Sequence, residues 1–486
     1  MARHSKTILT SKGHDRRESG YYSTPDFIAR FLTEEMLGLK PTGKKVFDPC
    51  LGKEELLRYF AEAGKYVYGI DIFDFSCHKI ASFEQKDFLE YYAWVKDGSL
   101  FNNSLDYDYY IANPPYNCHE VDYIQKNKQA LKTLFGKIGV HNMYSMFISA
   151  MIDMASVGAL LGILTLDSFL TSKAHAPLRR QILKETSIHH ILLCPIDLFR
   201  QQQADVRTCI IILQKGKQYQ KSVKIGNRVP NIEAFKNILS KRDFSQSRLD
   251  EITLNGQSDF SEFLIGVPND IRRLLKSPRL GESFNCITGI STGNDGKYLV
   301  KEPGVPFYKN PGSRKFYTAP DAYLPDDFLA ISENEKNFMV RNKAFLYKPG
   351  ITCSSMGIPF SACYLPPQVT YGVNANIICD VNDIGWLLGY LNSRLVTYFV
   401  RGILIRTNMI TSGYVSRIPL IDFSSSEKAS LAKIAYQAYE SVKQNRRTIL
   451  APIIDALDQI VFEASGISCK TQVFVRTFSQ DLIRNT

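Results

Sequence analysis

The strongest constraint on the fold is a rhythm in the first 215 residues. Short apolar runs at 46–47, 66–72, 109–112, 160–166, 188–194 and 206–213 alternate with amphipathic stretches such as 54–63, 143–154 and 178–185. In 54–63, Leu56, Leu57 and Phe60 share one helical face, and Gly64 follows as a stop. Runs of strand length separated by helix-length segments predict βα units wound around a mostly parallel sheet. The rhythm breaks after about Gly216. The stretch 217–257 is polar and irregular and reads as a linker with some helix.

Beyond it the character changes. Loops rich in Gly, Ser, Asn and Pro (289–296, 309–315) lie between short β-prone segments such as 345–348. An amphipathic helix with Leu431, Ile434, Ala438 and Val442 near one face then follows a Ser-rich cap at 424–426. A further helix, 453–463, ends at Gly466. At 486 residues the chain exceeds what one core usually organises, so two domains are expected, 1–235 and 236–486.

Charge narrows the partner. Lys and Arg number 59 against 48 Asp and Glu, a net +11 that suits a polyanion, nucleic acid before an anionic membrane surface. The longest apolar stretches, 154–166 and 395–405, fall short of the ~20 residues of a spanning helix. The basic N-terminus, with Arg3, Lys6, Lys12, Arg16 and Arg17, encloses no apolar signal core. Ten cysteines without a C-x-x-C pair read as reduced thiols, and a cytoplasmic protein is expected. No His/Cys spacing suits zinc, so no metal site is expected.

The chemistry concentrates in Asn113-Pro114-Pro115-Tyr116, directly after the run 109–112. Two prolines remove two N–H donors and stiffen the loop. The Asn113 side-chain oxygen and the Pro114 carbonyl can then act as a pair of acceptors for an amino group, with Tyr116 as a stacking face. Taken alone, the four residues also suit a simple proline-rich turn. Upstream stand an acid-turn-helix entry, Asp48-Pro49-Cys50-Leu51-Gly52, and a carboxylate about twenty residues on, Asp71, placed to accept from ribose hydroxyls. Asp87 follows, placed to accept from an adenine amino group. Each acid singly is an ordinary loop or cap residue; their order ahead of the proline loop carries the signal. Before them all lies Tyr22-Ser23-Thr24-Pro25-Asp26, in which Thr24 as N-cap and Pro25 at N1 would open a helix.

In this motif order, from about residue 17 to 213 and more loosely to the C-terminus, the chain resembles the gamma-class DNA adenine-N6 methyltransferases of bacterial restriction–modification systems. The resemblance implies a Rossmann-like S-adenosylmethionine-dependent methyltransferase domain followed by a mixed α+β target-recognition domain. It implies S-adenosyl-L-methionine as cofactor, held by Tyr22, Thr24, Asp48, Gly52, Asp71, Asp87 and Pro115. Asn113, Pro114 and Tyr116 would be catalytic on an adenine flipped from double-stranded DNA, with Phe199 packing on the base opposite Tyr116. Leu178-Arg179 and Leu391-Asn392-Ser393 look like further family motifs. At position 54 the family usually has glycine and this chain has Glu, which would crowd the cofactor or pair with its ammonium.

In the C-terminal half, Lys309, Arg314, Lys315, Lys336, Arg341, Lys343 and Lys348 interleave with Phe307, Tyr308, Phe316, Tyr317 and Phe345, a pattern suited to DNA contact. No nuclease constellation is evident, so a cognate restriction endonuclease would be a separate chain. Two other functions fit some of these residues. A protein-glutamine methyltransferase would use the same loop on a carboxamide, and a non-catalytic DNA-binding relative would have lost cofactor binding through Glu54. Cytosine-N4 methylation more often goes with Ser as the first loop residue.

Overall fold

The computed structural model describes residues 21–75, 79–98, 107–116, 122–202, 204, 206–217, 222–256, 259–356, 359–405 and 409–484. The N-terminal basic cluster, Cys77 and Cys118 lie outside them. The chain forms two units, one through residue 255 together with 260–266, the other made of 256–259 and 267 onward.

The first unit is built on a nine-stranded sheet. In chain order its strands are β1 (Lys45–Asp48), β2 (Tyr66–Asp71), β3 (Ser82–Gln85), β4 (Tyr109–Ala112), β5 (Leu160–Leu166), β6 (Thr186–Leu193), β7 (Thr208–Lys215), β8 (Val223–Gly226) and β9 (Ser245–Ser247). Their spatial order is β3-β2-β1-β4-β5-β7-β6-β8-β9. The first five are mutually parallel, and β7 slots between β5 and β6 antiparallel to both. The expected α/β class with a mostly parallel sheet is therefore present.

Burial on both faces explains why the inner strands read as continuous apolar runs. Successive residues of β4 alternate between two cores. Tyr110 and Ala112 join one core with the helix Met143–Met154, and Tyr109 and Ile111 join the other with the helix Asp26–Leu39. The parallel order sends the C-terminal ends of β1, β2 and β4 to one edge, where ligands of such sheets bind.

The supposed linker 217–257 belongs to this unit. Strands β8 and β9 extend the sheet, and the helix Ile232–Lys241 buries Phe235 and Leu239 in the second core. A boundary at 235/236 would cut that helix; contacts put it near 266. The apolar residues here are few, but Val223 and Ile225 alternate and Phe235 and Leu239 are four apart, enough for one buried face each.

The second unit has a four-stranded antiparallel sheet (Asn285–Ile287, Gly350–Cys353, Ala362–Leu365, Asn376–Ile378) and a three-stranded sheet built on Val305–Tyr308. Helices follow at Val381–Leu391, Ser425–Gln444, Ala451–Ser465 and Cys469–Arg484. Ser424 caps its helix reciprocally with Glu427, and Gly466 ends the next in the left-handed region, both as the sequence suggests. The β-prone stretch at 345–348 forms no strand: Phe345 ends a 3-10 turn, Lys343–Phe345, and 346–347 continue as a turn.

Candidate active site

The loop Asn113–Tyr116 leaves the end of β4 half-buried, and its geometry is set from the N-terminal motif. Asn113 Nδ2 donates to the Tyr22 carbonyl at 2.8 Å and to Thr24 Oγ1 at 3.0 Å. With both amide hydrogens taken by acceptors, Oδ1 must face the other way. There it accepts from Tyr116 Oη at 2.6 Å. The Thr24 hydroxyl is thus committed across the site and does not cap the following helix. Pro25 occupies the cap position, and its carbonyl accepts from Ile28 and Ala29 N–H.

Tyr22 stacks on Tyr116, with ring centroids 5.4 Å apart and planes at 22°. Phe199 meets Tyr116 edge-on at 6.2 Å and 73°, and it is fully buried in the second core. The parallel slot expected between Tyr116 and Phe199 is therefore not formed; Phe199 supports the tyrosine pair from the side.

The turn after β1 holds the acids. Asp48 is 1% exposed. Its Oδ1 accepts from Cys50 N–H at 3.0 Å, and its Oδ2 accepts no hydrogen bond from any described residue. Burial, with the nearby charge of Asp71, pushes its carboxyl from 3.8 up to about 8, against the Cys50 N–H that lowers it. Gly52 has φ +57°, and a Cβ there would lie 2.6 Å from the Tyr21 ring, so only glycine suits this position. Its N–H donates to Asp71 Oδ2 at 2.9 Å, while Phe73 N–H donates to Asp71 Oδ1 at 2.9 Å. Asp71 thus braces two turns, its carboxylate accepting from the backbone N–H of each. Its expected contact with ribose would use remaining lone pairs.

Asp87 is occupied differently from the expectation. It caps the helix Phe88–Asp97 through Leu89 and Glu90 N–H, and it accepts from Tyr123 Oη at 2.5 Å. Pro115 is half-buried between Pro114 and Tyr116, which are both buried. Glu54, expected to crowd the cofactor or pair with its ammonium, is engaged within the chain instead. Both its oxygens accept from backbone N–H groups of 79–81.

Two residues that sequence reasoning missed hold the N-terminal motif. Gln202 clasps the Ser23 backbone at both ends, accepting from its N–H at 2.9 Å and donating to its carbonyl at 2.8 Å. Glu55 accepts from Ser23 Oγ at 2.7 Å and from Tyr21 Oη. Neither carries a sequence signal, because each partner lies more than thirty residues away.

A cofactor with a cationic amino-acid end and a ribose would fit these residues. The buried Asp48 oxygen without a partner can accept from a cationic donor, and the Gly52 turn has no side chain to fill the approach. Among the described residues no group of three or more His, Cys, Asp or Glu is placed to hold a metal ion. No helix among them is long and apolar enough to cross a membrane.

In the second unit the proposed DNA-contact set divides. Lys315 is buried; its ammonium donates to the Phe360 carbonyl at 2.8 Å and to Asn392, and burial pushes its pKa down to about 8. Phe307, Tyr308 and Phe316 are core residues. Lys309 pairs with Asp295, and Lys343 with Glu333 at 3.7 Å. Arg314, Lys336, Arg341 and Lys348 remain exposed. Composition in a loop does not separate a buried lysine from a solvated one; the Asn392 carbonyl and side-chain oxygen decide it.

The model of the N-6 DNA methylase family matches residues 8–263, more than half of the chain. The chain belongs to this family. The type II methyltransferase M.BanIII of Aneurinibacillus aneurinilyticus is 28% identical over 206 residues, covering 36% of this chain and 35% of the relative. The chain thus matches about a third of that relative's length.

Among solved structures, a DrdV–DNA complex matches 87% of this chain and 57% of its own, at 10% identity and TM-score 0.56. A nuclease-deletion mutant of the type ISP restriction–modification enzyme LlaGI, in complex with a DNA substrate mimic, matches 86% and 54% at 12% identity and TM-score 0.54. At such identities these likenesses show a shared fold, consistent with a Rossmann-like methyltransferase sheet.

Proposed function

We propose that the protein is a site-specific DNA methyltransferase that transfers a methyl group from S-adenosyl-L-methionine to adenine N6 in double-stranded DNA. The observation that carries this is the fixed orientation of the Asn113 amide. With Nδ2 tied to Tyr22 and Thr24, Oδ1 and the Pro114 carbonyl are the acceptors left for the two hydrogens of an exocyclic amine. Accepting both turns the nitrogen lone pair out of that plane, and these bonds strengthen as the nitrogen gains positive charge. The amine either shares Oδ1 with the Tyr116 hydroxyl, using its second lone pair, or displaces it.

Adenine N6 is engaged in pairing inside the duplex, so the target base is extruded and stacks on Tyr116. Asp48 and Gly52 would hold the amino-acid end of the cofactor and Asp71 its ribose. Thr24 and Tyr22 act through Asn113, and Asp87 through the helix that it caps. When bound, S-adenosylmethionine supplies an electrophilic methyl group. The engagement of Glu54 with 79–81 supports an active enzyme over an inactive, DNA-binding relative. Family membership, a type II methyltransferase among the relatives and solved DNA complexes of the same fold support DNA over a glutamine side chain as substrate. We assign the second unit to target recognition. The protein then serves a restriction–modification or host-defence system in the cytoplasm.

Expression in a methylation-free host, with modified bases mapped across its DNA, tests substrate and site together. Asn113→Ala should abolish adenine methylation while cofactor and DNA binding persist. Unchanged turnover removes Asn113 from the mechanism, and methyl groups on protein instead of DNA overturn the substrate.

A further inference from the structure

Glu54 has φ +64°, in the region that favours glycine, and its side chain is buried. Such a conformation persists when surrounding contacts demand it. Here Oε2 accepts from Lys79 N–H at 2.9 Å, and Oε1 accepts from Ile80 N–H at 3.1 Å and Ala81 N–H at 2.8 Å. Three successive backbone N–H groups converging on one anion form a nest, the arrangement that proteins use to hold phosphates and other anions. This one is filled from within the chain.

The two segments so joined flank Asp71. Two residues before Glu54, the Gly52 N–H donates to Asp71 Oδ2. On the other side Lys86 N–H donates to the Asp71 carbonyl, and 79–81 lead directly into β3, the strand paired with β2. Asp71 therefore sits in a frame with three fixed members: the turn after β1, the entry to β3 and its own strand. Glu54 closes the side of that frame which the sheet ladder does not reach.

We propose that Glu54 is a positioning residue for the cofactor. It fastens the entry of β3 to the turn after β1, so that Asp48, Gly52 and Asp71 are organised before the ligand arrives. The inference rests on the assignment of those three residues to S-adenosylmethionine. Without the carboxylate, three N–H groups lose their acceptor and the segment opens to water. Ligand binding must then restore the order, and affinity falls.

Glycine would relieve the backbone at this position, so a φ argument alone gives E54G equal or better function. The latch gives the opposite, and the two diverge in one experiment. Full-length wild type, E54G and E54Q are compared by calorimetry with S-adenosylmethionine, by hydrogen exchange of the 79–81 amides and by steady-state methyl transfer. In E54G the expected dissociation constant rises about tenfold or more, exchange at 79–81 accelerates, and KM for the cofactor rises by more than kcat falls. E54Q keeps one acceptor oxygen but turns an NH2 toward N–H donors, so it should fall between the two; it also serves if E54G does not fold. Faster exchange at 79–81 with unchanged or tighter binding overturns the proposal. If wild type itself binds no S-adenosylmethionine, with or without DNA, the functional assignment fails instead.

Discussion

Asp48→Asn removes one buried ionisable carboxyl and little else, because the Asn oxygen can still accept from Cys50 N–H. In the folded chain the Asp48 carboxyl ionises at about 8, against 3.8 in its ordinary state. Its neutral form is therefore favoured by folding, and the associated stability is fully present below pH 4. Between the two values the unfolded chain has released the proton while the folded chain keeps it, so stability falls by about 1.4 kcal/mol per pH unit until the folded group ionises. From pH 5 to pH 7 the loss is on the order of 2–3 kcal/mol. The variant has no such proton, so its stability relative to wild type should rise by that amount over the same interval. For a unit of this size the gain corresponds to roughly 5–10 °C in Tm.

The assay is thermal unfolding of both proteins without cofactor, in buffers from pH 5 to pH 8. Binding should move the other way. A cofactor ammonium that pairs with ionised Asp48 loses a charge-assisted bond in the variant, and affinity should drop ~10- to 100-fold. Parallel Tm-versus-pH profiles for the two proteins would refute the buried-charge account. Unchanged cofactor affinity would detach Asp48 from the ligand.

Thr24→Val keeps the shape of residue 24 but removes one of two acceptors that orient the Asn113 amide, worth about 1 kcal/mol. Methyl-transfer kcat should fall roughly fivefold, and an unaltered kcat rejects the orienting role. Arg179→Met strips the Phe169, Ser172, Phe260 and Ser261 carbonyls of a fully buried guanidinium that donates to all four. It should cost about 3 kcal/mol or more, seen as a lower urea midpoint; a midpoint within error of wild type contradicts the clamp.

Local features were legible wherever a residue's role depends on its sequence neighbours. The proline loop stands directly after β4, and the Gly52 turn follows β1, because strand, turn and helix signals act over a few residues. The Ser424 cap and the Gly466 stop were visible for the same reason. Where the deciding partner is distant, the signal was missing. Thr24 looks like a helix cap until Asn113, 89 residues on, takes its hydroxyl. Glu54 looks like an intruder until 79–81 receive it. Lys315 looks like a phosphate contact until Asn392 and Phe360 enclose it. The extension of the sheet by β8 and β9 was not legible, because their two-residue alternation is too short to distinguish from a polar linker.

By itself, then, the order of residues determined the alternation of strands and helices, the stiff acceptor loop and the family to which the chain belongs. These are encoded in backbone preferences and apolar periodicity, which need no knowledge of distant contacts. Tertiary structure alone decided which way the Asn113 amide faces, that one Asp48 oxygen is buried without a partner among the described residues, and which unit claims residues 217–255. Each of those depends on hydrogen-bond partners and burial that exist only once segments far apart in the chain have packed together.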